Sequence, residues 1–166
     1  MMIRQTIGWI AVFVGVVALL GCEKPTTTKN TKPAATTTGH SHDHSHDEGP
    51  HGGVLAEWGE EVYHVEFTVD HAKKQVVVYL LDEHAVKTPK VEPSDVKNMT
   101  LTITNVKPPL TLELKHDAAL SGPKGMAFVV THDQFGKEMD FNGNISGNVK
   151  GQAYSGDFKE TGGHKK

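Results

Sequence analysis

His40, His42, His44, His46 and His51 fall within twelve residues, together with Asp43, Asp47 and Glu48. Neutral imidazole is a borderline ligand that suits Zn, Cu and Ni, and interleaved carboxylates add charge and can orient the second ring nitrogen. The composition is that of a metal-binding tract. Histidines two apart on an extended chain leave the same side about 6–7 Å from one another, too far to share an ion. The segment must therefore wrap to bring three or four nitrogens together. Loose binding and fast exchange follow, with selectivity set by metal availability along the Irving–Williams order, and that suits capture or buffering better than catalysis.

A second set lies in Tyr63-His64-Val65-Glu66. His64 and Glu66 are two apart, so in a strand they leave one face and can offer nitrogen and oxygen to one ion, with His51 delivered by the Gly52-Gly53 turn. The same pair would serve equally as ordinary polar residues on the solvated face of a strand. His71, His84, His116, His132 and His164 fall in turns, strand ends or the tail and read as surface residues. Met99, Met126 and Met139 are spread through the chain and suit core packing better than a Cu(I) site. No nucleophile with a base and no open metal site with a general base is visible as a motif. Gly-x-Ser-x-Gly, His-Glu-x-x-His and Gly-rich phosphate loops are absent. The expectation is a protein that is not an enzyme.

Cys22 is the only cysteine, which excludes an intramolecular disulfide, a four-cysteine zinc site and an iron–sulfur cluster. It follows Ile7 to Leu20, an unbroken apolar run too short to span a bilayer comfortably, with Arg4 the only charge before it. That is the pattern of a signal-peptide core, and Leu19-Leu20-Gly21-Cys22 resembles the bacterial lipobox. The expectation is a signal peptide over 1–21, cleaved ahead of a lipidated Cys22. Each buried methylene contributes about 0.8 kcal/mol, so two or three acyl chains anchor firmly. Glu23, where lipoproteins retained in the inner membrane resemble one another in carrying aspartate, favours the outer membrane facing the periplasm if the source is Gram-negative.

Residues 23–39 are threonine, lysine and proline with almost nothing apolar, and they read as a flexible tether of roughly 20–25 Å mean reach. With Cys22 and the histidine tract this makes a linker over 22–50. With 166 residues the chain has room for about one further domain, and its formal charge of -3 leaves no surplus of cations for phosphates, so nucleic acid is not an expected partner.

The remaining elements have to position His51, His64 and Glu66. From Gly52 the chain alternates apolar and polar residues between Gly, Pro and Asn, the signal for short antiparallel strands. The pattern predicts strands over 62–69 and 75–82, the latter central and covered on both faces, then 99–106, 110–115 and 126–131, and a glycine-rich terminal hairpin up to Phe158. Residues 92–97 and 132–139 can each hold one helical turn. The expected fold is all-β, a small antiparallel sandwich or partly open barrel over 51–160, with a disordered tail over 161–166.

His51-Gly52-Gly53, Tyr63-His64-Val65-Glu66, Val78-Tyr79-Leu80-Leu81-Asp82, Val149-Lys150-Gly151 and Tyr154-Ser155-Gly156-Asp157-Phe158 together resemble a small extracytoplasmic β-domain of bacterial lipoproteins. The set is also similar to segments that precede the periplasmic adaptors of heavy-metal efflux pumps. The resemblance covers roughly residues 50–158 and implies an accessory periplasmic metal-binding module, with His51, His64 and Glu66 as its ligands. The chain lacks the helical hairpin and lipoyl-like domain of an adaptor proper. The expected partners are the membrane, through the lipid, and a metal transporter or efflux component. The alternative is an interaction lipoprotein that binds another protein at a sheet edge or face, its histidines incidental.

Overall fold

Valine, isoleucine, phenylalanine and tyrosine dominate the runs that form strands, as expected where branched and aromatic side chains pack on a pleated surface. The computed structural model describes residues 48–160. Among them are nine strands: β1 (Val54–Trp58), β2 (Tyr63–Asp70), β3 (Gln75–Leu81), β4 (Val96–Ile103), β5 (Leu110–Glu113), β6 (Lys115–His116), β7 (Met126–Thr131), β8 (Asn142–Val149) and β9 (Gln152–Lys159). They form two antiparallel sheets, ordered β1-β2-β3-β7-β6 and β5-β4-β8-β9. The fold is all-β and sandwich-like, and neither sheet closes into a barrel. Among the described residues no helix is long and apolar enough to cross a membrane.

The predicted strands are present with shifted ends. The stretch at 99–106 starts earlier, at Val96, directly after a 3₁₀ turn at Pro93–Asp95, and a second such turn occupies Asp133–Gly136. The single strand expected over 110–115 is divided. Leu110–Glu113 pairs with β4, whereas Lys115–His116 pairs with β7 in the other sheet, so the chain crosses between layers at the buried Leu114. The terminal hairpin turns through Lys150 and Gly151, both at positive φ, 51° and 83°. Two left-handed residues between paired strands make the tight turn whose twist matches that of the sheet, and glycine takes the second place without strain.

The main core lies between the sheets. Phe67 of β2 stacks on Phe158 of β9 with ring centroids 4.4 Å apart, and Phe135 meets Phe141 edge to face at 5.4 Å. Trp58 at the end of β1 donates its indole N–H to the carbonyl of Ile145 on β8, 3.1 Å away, and so bridges the layers. Burying each such ring fully contributes roughly 1.5–3 kcal/mol. β3 is covered on both faces, as its unbroken apolar run predicts. Val76, Val78 and Leu80 enter the main core, while Val77, Tyr79 and Leu81 join Ala85 and Ala127 in a second cluster on the outer face of the five-stranded sheet. That outer cluster surrounds the candidate site.

Candidate functional site around His51 and Glu66

On β2, Val65 and Phe67 face the main core and His64 and Glu66 face the outer cluster, the alternation that a strand imposes. A solvated face is the wrong environment for Glu66, which is 0% exposed. The reading of this pair as surface residues fails at that position, because the segment preceding β1 folds down over the strand. Gly52 N–H donates to the Gly49 carbonyl at 3.0 Å and Gly49 N–H to the Gly53 carbonyl at 2.8 Å, closing a tight loop through Pro50 and His51. Gly52 sits at φ +80°, where only glycine is at ease.

The loop aims three donors at one carboxylate. Glu66 Oε1 accepts the backbone N–H groups of His51 and Gly53, each at 2.8 Å, and Oε2 lies 2.8 Å from His51 Nδ1. Both oxygens are engaged, which is what allows a carboxylate to stand in an apolar cluster at all. The carboxylate accepts from Nδ1–H, so in the neutral ring the Nε2 lone pair remains for another partner. The His51 ring stacks on Tyr79 with centroids 3.6 Å apart and planes within 6°, and its side chain is 25% exposed. Burial, and then the nearby Glu66 charge, push the Tyr79 phenol above its ordinary pKa. A carboxylate behind a histidine that shows its far nitrogen is the arrangement by which proteins fix a metal-ligating or proton-accepting imidazole.

His64 is fixed in the same sense. Its Nδ1 donates to the backbone carbonyl of Asp82, 3.1 Å away, an acceptor that has no proton of its own. Nε2 of His64 is therefore also the lone-pair nitrogen of the neutral ring. Glu57 on β1 stands directly opposite His64 across the β1–β2 ladder. Among the described residues no group of three or more His, Cys, Asp or Glu side chains gathers around one point. The structure brings His51 and Glu66 together as an oriented pair, and turns His64 to the backbone carbonyl of Asp82.

The remaining candidates divide plainly. Cys22, His40, His42, His44, His46 and His164 lie outside the described residues. His71 donates to the Phe135 carbonyl, and His132 Nδ1 accepts the Gln134 N–H at the start of the second 3₁₀ turn. His116 contacts Ser121 and lies edge-on to Phe128. Sequence reading missed Tyr79 and the carboxylate of Asp82. Tyr79 carries no signal inside an apolar run, but Asp82 could have been suspected, since it ends a strand covered on both faces.

Gly53 makes a direct test of the loop. A Cβ there would overlap the Phe67 carbonyl oxygen of β2 and crowd Thr68. Gly53→Ala is expected to force the loop off Glu66 and destabilise the domain by about 1–3 kcal/mol. Chemical denaturation measures the loss, and a variant as stable as the parent would show that Gly53 does not seat the loop.

The fold and site define the class as an all-β sandwich with a carboxylate-oriented histidine at the entry to its first strand. Comparison with family models, with curated proteins and with solved structures gave no match.

Proposed function

We propose that the chain is a membrane-tethered, extracytoplasmic metal-binding lipoprotein that captures, buffers or delivers Zn, Cu or Ni, with a metal transporter or efflux component as its partner. Zn is the first expectation for the metal. One observation carries the reading: His51 is both the last histidine of the tract and the residue whose ring is oriented by a buried carboxylate. The tract thus ends on an imidazole whose orientation is set before any ion arrives, and a fixed first ligand lowers the ordering cost of the others. On this reading His40, His42, His44 and His46 recruit ions, His51 presents Nε2, and His64 is a further nitrogen on the same face of β2. Glu66 acts through His51. The lipid on Cys22 keeps the tract at the membrane surface.

Binding requires neutral imidazole, so acid, which protonates the ligand nitrogens, should weaken it. The test is titration of the full-length chain in detergent with Zn, Cu and Ni, beside a chain lacking residues 40–46. The shortened chain is expected to lose most bound equivalents and to retain at most the share held near His51. Unchanged stoichiometry would remove the capture role, and no binding by either chain would leave the interaction lipoprotein.

A further inference from the structure

His51-Gly52-Gly53 carries the amide nitrogens of three successive residues, together with the two ring nitrogens of His51. Nδ1 is bonded directly to Cγ, so it can close a chelate ring with a neighbouring amide nitrogen. Nε2 lies across the ring and cannot. A histidine followed by two glycines can therefore wrap an ion in a plane of nitrogens when the chain is free to turn. Cu(II) and Ni(II) favour that tetragonal arrangement, whereas Zn takes separate ligands placed tetrahedrally.

In the folded loop every nitrogen on the backbone side is taken. The His51 and Gly53 amides donate to Glu66 Oε1 at 2.8 Å, Nδ1 lies 2.8 Å from Oε2, and Gly52 N–H donates to the Gly49 carbonyl at 3.0 Å. Three of the four thus converge on one fully buried carboxylate. Gly49 lets the loop close this far, because a Cβ there would overlap the Glu66 carboxyl carbon. Tyr79, stacked on the imidazole with centroids 3.6 Å apart, backs the ring in the same pose. An ion that took Nδ1 and the amides would displace all three bonds and leave Glu66 bare in an apolar cluster, which is costly. An ion on Nε2 disturbs none of them.

We infer that the Gly49–Gly53 loop is a selectivity lock: folded on Glu66, it withholds from Cu(II) and Ni(II) the nitrogen chelate that its own sequence would give them, and leaves Nε2 as the outward nitrogen. This rests on the reading of His51 as a metal ligand and deepens it, since the ordered end of the tract then serves Zn. The selecting residues are Glu66 and Gly49, and neither touches the ion. Cu(II) and Ni(II) reach the chelate only by opening the loop, so they work against the fold, as any ligand does that prefers the opened chain.

Visible circular dichroism tests the lock, because amide nitrogens in a Cu(II) chelate ring give d–d bands that imidazole alone gives only weakly. Cu(II) and Zn are titrated in detergent into the chain lacking residues 40–46, so that the tract cannot mask the loop, and into its Gly49→Ala variant. Each is repeated with His51→Ala added, which subtracts the other histidines. In the parent the Cu(II) spectrum is expected to be the same with and without His51→Ala. Gly49→Ala, its loop lifted, is expected to gain a His51-dependent amide band and to bind Cu(II) about tenfold tighter or more, since one bond to a carboxylate alone corresponds to about that factor. Zn should gain nothing. Should Gly49→Ala fail to fold, the parent unfolded in urea takes its place and should show the same band. A His51-dependent amide band in the folded parent overturns the inference. So does its absence from both the opened and the unfolded chain, where there would be no chelate to withhold. The metal reading is checked separately by the His51 ring ¹⁵N shifts when Zn is added to the parent. If these stay unchanged while the Cu(II) spectra behave as expected, the lock holds and His51 drops out as a Zn ligand.

Discussion

Trp58→Ala is expected to cost about 3–5 kcal/mol of folding free energy, a fifth or more of the roughly 5–15 kcal/mol available to a domain of this size. Trp58 is 0% exposed and lies where both sheets meet. Its indole N–H reaches the Ile145 carbonyl, and its ring lies parallel to Tyr154 with centroids 5.8 Å apart. The neighbouring backbone cannot collapse far into the space it would vacate. β9 already approaches so closely that a Cβ at Gly156 would stand 3.0 Å from the indole, and one at Gly147 of β8 likewise. Those contacts are fixed by the β8–β9 ladder. Trp58→Phe should recover only part of the loss, since it keeps one six-membered ring in the core but leaves the space of the other ring empty and gives up one hydrogen bond worth about 1 kcal/mol. Denaturation followed by circular dichroism, with slope unchanged, is the measurement. A loss under about 1.5 kcal/mol for alanine would mean that the two layers are held together elsewhere.

What the sequence makes legible here follows from periodicity. Alternation along 63–69 and the unbroken apolar run of 75–81 place β2 and β3, and the glycine and proline spacing marks the turns, because each is a local property of backbone and side chain. The crossing at Leu114 is not local. Leu110 to Lys115 reads as one strand, and only the pairing partners, β4 for one half and β7 for the other, divide it. The candidate site shows the same boundary. His51, His64 and Glu66 are visible as polar residues at suggestive spacing, and their shared β2 face follows from the period of two. That Glu66 is buried depends on a loop fifteen residues earlier folding over it, and on Tyr79 and Leu81 walling the same face, none of which a single strand announces. The spacing could therefore suggest three ligands, but not that one of the three stands behind another.

Glu66→Gln is expected to leave the fold nearly intact while lowering metal affinity at His51 about 10–100-fold. The glutamine amide has to place its oxygen where Oε1 stands, since two backbone N–H groups point there and an NH₂ would meet them donor to donor. Its NH₂ then takes the place of Oε2 and faces His51 Nδ1 across 2.8 Å. A donor now confronts that nitrogen, so the ring is stable only with Nδ1 as acceptor and the proton moved to Nε2. The substitution preserves shape and contact number and inverts the tautomer, turning the outward nitrogen from lone pair to N–H. An ion can bind only after that proton is moved back against the amide. Glu66→Ala removes the acceptor altogether, strands three donors in an apolar cluster, and is expected to cost about 3–5 kcal/mol of stability. The two substitutions thus separate orientation from support. Ring ¹⁵N shifts of His51 read the tautomer, and Zn titration of the chain lacking residues 40–46 reads the affinity, with the tract removed so that it cannot mask the loss. If Nε2 becomes protonated and Zn affinity is unchanged, His51 is not the oriented ligand and Glu66 serves only to pin the loop. If the tautomer itself does not change, the carboxylate was not accepting from Nδ1, and the pair has a different proton arrangement from the one its geometry implies.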